Sequence, residues 1–116
     1  MARSFVRSAV GLMVLSLAMA ACGDDPTDPG PVTTTSVSIE DDKFTPQHIR
    51  VSPGATVTWT WTGSNTHNVA FAAAAGVATS PSQTSGTYQA AMPSAPGTYP
   101  YECEWHTGMT GSVLVE

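Results

Sequence analysis

The 116-residue chain predicts an all-β fold, a β-sandwich of about seven or eight short strands. Three observations carry this. Thr56-Val57-Thr58-Trp59-Thr60-Trp61-Thr62 alternates β-branched or aromatic residues on one face with threonines on the other, the period-2 pattern of a half-buried strand. Turn signals recur at short intervals, at Ser52-Pro53-Gly54-Ala55, Gly63-Ser64-Asn65 and Pro93 to Gly97. The alanine run Ala72 to Ala75 is stopped by Gly76 and Pro81, so no long helix forms there.

The elements run in order along the chain. Val37 to Glu40 alternates apolar and polar residues, and Asp41-Asp42-Lys43 turns the chain. A second extended segment runs from Phe44 through Ile49 to Val51. After the Pro53-Gly54 turn comes the Thr56–Thr62 strand, with Val57 and Trp59 in the core and Trp61 nearer the rim. His67 to Phe71 starts another strand, and residues 72–85 are a loop with room for one helical turn. Gly86 to Met92, Thr98 to Cys103 and Ser112 to Glu116 complete the set, with Met92 packed inside. Pro100 has no N–H for a ladder, so its nitrogen must face away from the sheet or lie on an edge. His48 is expected to face solvent, as are Glu102 and Glu104 on either side of Cys103.

The N-terminal third has a different character. Arg3 and Arg7 precede Ala9 to Ala21, an uncharged apolar run of 13 residues. A spanning helix needs about 20 residues, so this run fits the hydrophobic region of an export signal instead. Cleavage after Ala20 is one reading. Met19-Ala20-Ala21-Cys22 also resembles a bacterial lipobox, in which cleavage falls before a cysteine that then carries lipid. The lipobox fits better with the composition of the next stretch of chain. Residues 22–35 are rich in Pro, Gly, Asp and Thr and lack the apolar content to fold, as expected of an extended tether. The expected organisation is therefore a lipoprotein-type signal at 1–21, a tether at 22–35 and one domain at 36–116. That places a monomeric domain in a bacterial cell envelope, on the periplasmic or outer face of a membrane held by Cys22.

The domain carries six acidic and two basic side chains, a net −4 with histidine neutral. It has no basic surface for phosphate, which excludes nucleic acid. Its acidity suits steering toward a basic partner protein. No Ser/His/Asp set or carboxylate pair suggests an enzyme. The whole chain has two cysteines, so lipidation of Cys22 leaves Cys103 alone in an oxidising compartment. Metal ligation accounts for such a thiol; a Cys22–Cys103 disulfide would leave the histidines unexplained.

Cys103-Glu104-Trp105-His106-Thr107-Gly108-Met109 sets a thiolate, an imidazole and a thioether at C-x2-H-x2-M spacing. His67 lies 36 positions upstream of Cys103. Two imidazoles, a thiolate and a weak thioether form the ligand set of a blue-copper electron-transfer site. Soft sulfur favours Cu(I) and imidazole suits Cu(II), so such a site cycles with little rearrangement.

A longer pattern includes these residues. Phe44-x-Pro46-x-x-Ile49-x-Val51-x-x-Gly54-x-x-Val57-x-Trp59, then His67-Asn68-Val69, then Pro96-Gly97-Thr98-Tyr99-x-Tyr101-x-Cys103-x-x-His106-x-Gly108-Met109-x-Gly111-x-Val113 resembles the cupredoxins, in particular the plastocyanin and amicyanin branch. The resemblance covers Val37 to Val115. It implies an eight-stranded Greek-key sandwich with one type 1 copper ion at one end, exchanging single electrons with redox partner proteins. The family's ligand positions fall on His67, Cys103, His106 and Met109. Met109 would be the long axial contact, His106 the exit for electrons, and Asn68 a tie between the His67 segment and the Cys103 loop. Only two residues separate His106 from Met109, as in amicyanin rather than plastocyanin. Trp105 adds apolar surface beside His106.

Copper delivery is the alternative function. It commonly uses clustered exposed Met and His, whereas Met1, Met13 and Met19 lie in the signal and Met92 in a strand. An adhesion module with incidental copper is a third reading.

Overall fold

A computed structural model describes residues 30–116; the expected signal, Cys22 and most of the tether lie outside the described residues. Among the described residues nine strands form two facing sheets: β1 (Val32–Thr33), β2 (Ser36–Glu40), β3 (Lys43–Thr45), β4 (His48–Val51), β5 (Thr56–Trp61), β6 (Ala70–Phe71), β7 (Gly86–Ala91), β8 (Gly97–Glu102) and β9 (Thr110–Val115). One sheet has the order β1-β4-β9-β8-β6 and the other β3-β2-β5-β7. The parallel pairings of β2 with β5 and of β4 with β9 require the chain to cross between the sheets. The Greek-key sandwich is thus present, with more strands than the sequence suggested.

The two differences in strand count have local causes. The extended segment from Phe44 to Val51 is divided, because β3 pairs with β2 while β4 pairs with β9 in the other sheet. The division falls at Pro46, which has no N–H to continue a ladder. Val32–Thr33, read from composition as tether, pairs in parallel with Ile49 and Arg50 as an edge strand. Main-chain hydrogen bonds hold it there without any burial of its side chains, so a hydropathy pattern has nothing to show.

Alternation explains the layers. β5 buries Val57, Trp59 and Trp61, β2 buries Val37 and Ile39, and β9 buries Val113 and Val115. Trp59 lies at the centre, edge-on to Phe71 at 5.9 Å and to Tyr101 at 5.5 Å between ring centroids. Burial raises the Tyr101 phenol to about 12. Gly111 lies against that ring: a Cβ there would come within 2.5 Å of the Tyr101 ring carbon Cζ.

Turns and edges take their form from individual residues. Ser52 to Ala55 turns through Gly54 at φ 75°, closed by the Ala55 N–H to the Ser52 carbonyl at 3.1 Å. The alanine run makes a single 3-10 turn, Ala73–Ala75, ended by Gly76 in the left-handed region at φ 70°. Pro100 pairs with Ser112 of β9, but β6 on the other side reaches only Tyr101 and Glu102. That leaves Pro100 at a locally open edge. His48 departs from expectation: it is half-buried, with Nδ1 2.7 Å from Ser112 Oγ across the β4–β9 ladder. No helix among the described residues is long and apolar enough to cross a membrane.

Candidate metal centre

Two stretches of chain meet at one end of the sandwich. The first is the segment after β5, carrying His67; the second is the loop from Cys103 to Met109 that joins β8 to β9.

The loop is closed by its own backbone. The Cys103 N–H donates to the Met109 carbonyl at 2.9 Å, and the Met109 N–H to the His106 carbonyl at 3.2 Å. Gly108 supplies the left-handed conformation, φ 84°, that so short a connection uses. Cys103 is a free thiol, 2 % exposed, and Met109 is equally buried.

His67 is fixed on three sides. Its backbone exchanges hydrogen bonds with Gln83, both at 3.1 Å, forming an isolated bridge where the sequence suggested a longer strand. The Trp61 indole N–H donates to the His67 carbonyl at 3.0 Å. That bond draws Trp61 into the core, 6 % exposed, instead of to the rim. On the ring itself, Nε2 lies 3.1 Å from Asp41 Oδ1. A carboxylate accepts, so Nε2 carries the proton and the Nδ1 lone pair points inward.

The donors converge there. His67 Nδ1 is 3.1 Å from His106 Nδ1, and Cys103 Sγ is 3.7 Å and 3.6 Å from the same two nitrogens. The three atoms form a nearly regular triangle whose equidistant point is about 2.0 Å from each, the length of a metal–imidazole bond and a little short of a metal–thiolate bond. Two imidazole nitrogens and a sulfur so close together turn electron pairs toward one point; a soft cation at the centre satisfies all three. His67, Cys103 and His106 are therefore brought together as the sequence led one to expect. Met109 is buried in the same loop, with its main chain bonded to Cys103 and His106.

Surrounding groups lock the two stretches to each other. The Asn68 side chain accepts the Glu104 N–H at 2.8 Å and donates to the Glu104 carboxylate at 2.9 Å. Asn68 thus makes the tie assigned to it from the sequence, and Glu104, though exposed, is half of that tie. Ser80 Oγ accepts the Val69 N–H at 2.8 Å. The Trp105 indole is 60 % exposed and donates to Ser82 at 2.8 Å.

Electrostatics divide the two rings. The Asp41 carboxyl falls to about 2, first through the Asn65 backbone N–H, then through His67 and the Ser64 backbone N–H. Asp42 lies 4.0 Å from His106 Nε2 and is 77 % exposed, a loose and screened contact. Sequence reasoning missed Asp41, Trp61 and Ser80. Asp41 looks like any turn residue, and no spacing rule links it to a histidine 26 positions later.

A sandwich with a His, Cys and His cluster at one end, two of the three buried, defines a copper protein of the type 1 class. The model of copper binding proteins of the plastocyanin/azurin family matches residues 32–116, and the chain belongs to that family. It is 34% identical over 112 residues to amicyanin-alpha of Methylorubrum extorquens (strain AM1), covering 94% of each chain. Among solved structures, a reduced Cu(I) form of an amicyanin mutant at pH 4 is similar at TM-score 0.59 and 31% identity, covering 77% of this chain and 84% of that one. A purple cupredoxin from Nitrosopumilus maritimus shares the fold at TM-score 0.63 and 23% identity, over 72% of this chain and 100% of that one. The cofactor is copper, and the His67, Cys103 and His106 cluster fits a single type 1 ion. The protein is an electron carrier rather than an enzyme. A hollow of about 440 Å3 on the outer face beside β6 and β8 is lined by Phe71, Pro100 and Glu102 among others, and by none of the cluster residues.

Proposed function

We propose that this protein is a single-electron carrier of the bacterial cell envelope, exported and held to a membrane through a lipidated Cys22. The observation that carries the redox part is the triangle of Nδ1, Nδ1 and Sγ, 3.1 to 3.7 Å on a side, set in a stiff sandwich. Bound copper supplies a one-electron couple between Cu(II) and Cu(I). His67, Cys103 and His106 would hold it, and the buried Met109 would offer a weak thioether that tunes its potential. Rigid donors favour electron transfer because neither oxidation state requires them to move. His106 is the port: its side chain is 30 % exposed, while that of His67 is fully buried. The acidic domain suits a basic redox partner, met as a monomer. The anchor rests on the lipobox-like Met19-Ala20-Ala21-Cys22 and the Pro/Asp/Thr-rich stretch behind it.

Two measurements test this reading. The purified protein with Cu(II) should show an intense blue absorption and a reversible one-electron wave, and Cys103→Ser should abolish both. A colourless protein that binds only Cu(I) would turn the assignment to copper delivery. For the anchor, cells fed labelled fatty acid should label the wild type and not Cys22→Ser; equal labelling, or none in either, rejects lipidation at Cys22.

A further inference from the structure

Asp41 sits in the turn between β2 and β3, far in sequence from either ligand stretch. Its carboxylate is held by main chain. The Ser64 N–H reaches Oδ1 at 3.0 Å and Oδ2 at 3.1 Å, and the Asn65 N–H reaches Oδ1 at 2.9 Å. The same Oδ1 accepts from His67 Nε2 at 3.1 Å. One carboxylate thus orders the turn leading to His67 and receives the proton of the ring. Because that imidazole is fully buried, Asp41 stands where water would otherwise bond Nε2. The arrangement depends on Gly63. A Cβ there would lie 2.3 Å from Asp41 Oδ1 and 2.7 Å from the Asp41 backbone nitrogen, so any side chain at residue 63 would displace the carboxylate.

We propose that Asp41 is a positioning residue that locks His67 in its Nε2–H tautomer and lowers the reduction potential of the copper centre. This rests on the electron-carrier reading above. A carboxylate behind a ligating imidazole orients the ring and raises its basicity. A fixed negative charge at that distance also stabilises the more highly charged Cu(II) over Cu(I). The effect is one-sided. Asp42, opposite His106, is 77 % exposed and 4.0 Å away, so solvent screens it. The Asp41 side chain is itself 37 % exposed, but two backbone amides fix its carboxylate against the His67 ring at 3.1 Å.

Asp41→Asn, Asp41→Ala and Gly63→Ala in the full chain, loaded with copper, test the proposal. Asp41→Asn keeps an oxygen acceptor but removes the charge. Gly63→Ala leaves the carboxylate intact and pushes it away. The midpoint potential is read by voltammetry, and the His67 ring protons by NMR of the Cu(I) form. All three variants should stay blue, and each should have a higher potential, so that at the wild-type midpoint they are reduced over oxidised by several-fold. In the wild type the His67 Nε2 proton should exchange slowly, and in Asp41→Ala and Gly63→Ala rapidly. A purely structural role would lower the melting temperature and leave the potential where it was. Blue variants with unchanged potential therefore overturn this proposal alone, whereas a wild type that is not blue overturns the electron-carrier reading and this proposal with it.

Discussion

His67 and His106 present the same nitrogen to the same cluster from contrasting surroundings. His67 is buried, bridged to Gln83, bonded through its carbonyl to Trp61 and through its ring to Asp41. His106 belongs to a loop closed by two main-chain hydrogen bonds, and its ring reaches solvent beside the exposed Trp105. One imidazole is anchored by the sandwich; the other is carried out to the surface. On the proposed function, one histidine holds the metal in a fixed geometry and the other opens it to a partner.

Replacing each ring with a cavity should produce the largest contrast. His67→Gly and His106→Gly both lose the blue band. Added imidazole should restore it in His106→Gly, whose site opens to solvent, and fail to do so in His67→Gly, whose site is sealed. Equal rescue, followed by optical titration, would break the distinction between a sealed and an open ligand.

The tie between the two regions comes next. Asn68→Ala removes two hydrogen bonds to Glu104 and leaves the Glu104 N–H without its partner. The loss should be about 1–3 kcal/mol in denaturant unfolding of the copper-free protein. The His106 side should loosen more than the His67 side, as hydrogen exchange of residues 103–109 would reveal. Trp61→Phe should cost less, about 0.5–1.5 kcal/mol, because Gln83 still bonds the His67 carbonyl. Its effect on exchange should be confined to the His67 segment.

The smallest effect is in acid. The folded Asp41 carboxyl lies near 2, below its ordinary 3.8, so its contribution is complete above 3.8 and disappears as the pH falls toward 2. Over that window the copper-free wild type should lose stability more steeply than Asp41→Asn, as urea midpoints at successive pH values would show. Parallel curves would remove Asp41 from the fixtures of His67.

Legibility varied with the kind of interaction. The Thr56–Trp61 strand is plain in the sequence because its alternation is local, and burial of Val57 and Trp59 comes from the same period. Cys103 and His106 announce themselves because two donors in one short loop need a fixed spacing. Trp61 was misplaced toward the rim because the carbonyl that holds it belongs to a residue whose position depends on the fold. β1 escaped notice because a parallel edge pairing is made by main chain, which every residue shares.

By itself, then, the sequence determined the all-β alternation, the donor types and the order in which they occur, since these depend on residue identity and short spacing. Only the tertiary structure decided that His67 would arrive 3.1 Å from His106 with Asp41 at its back. That meeting is set by which sheet each strand joins, a choice made by the packing of the whole core and written in no single stretch of chain.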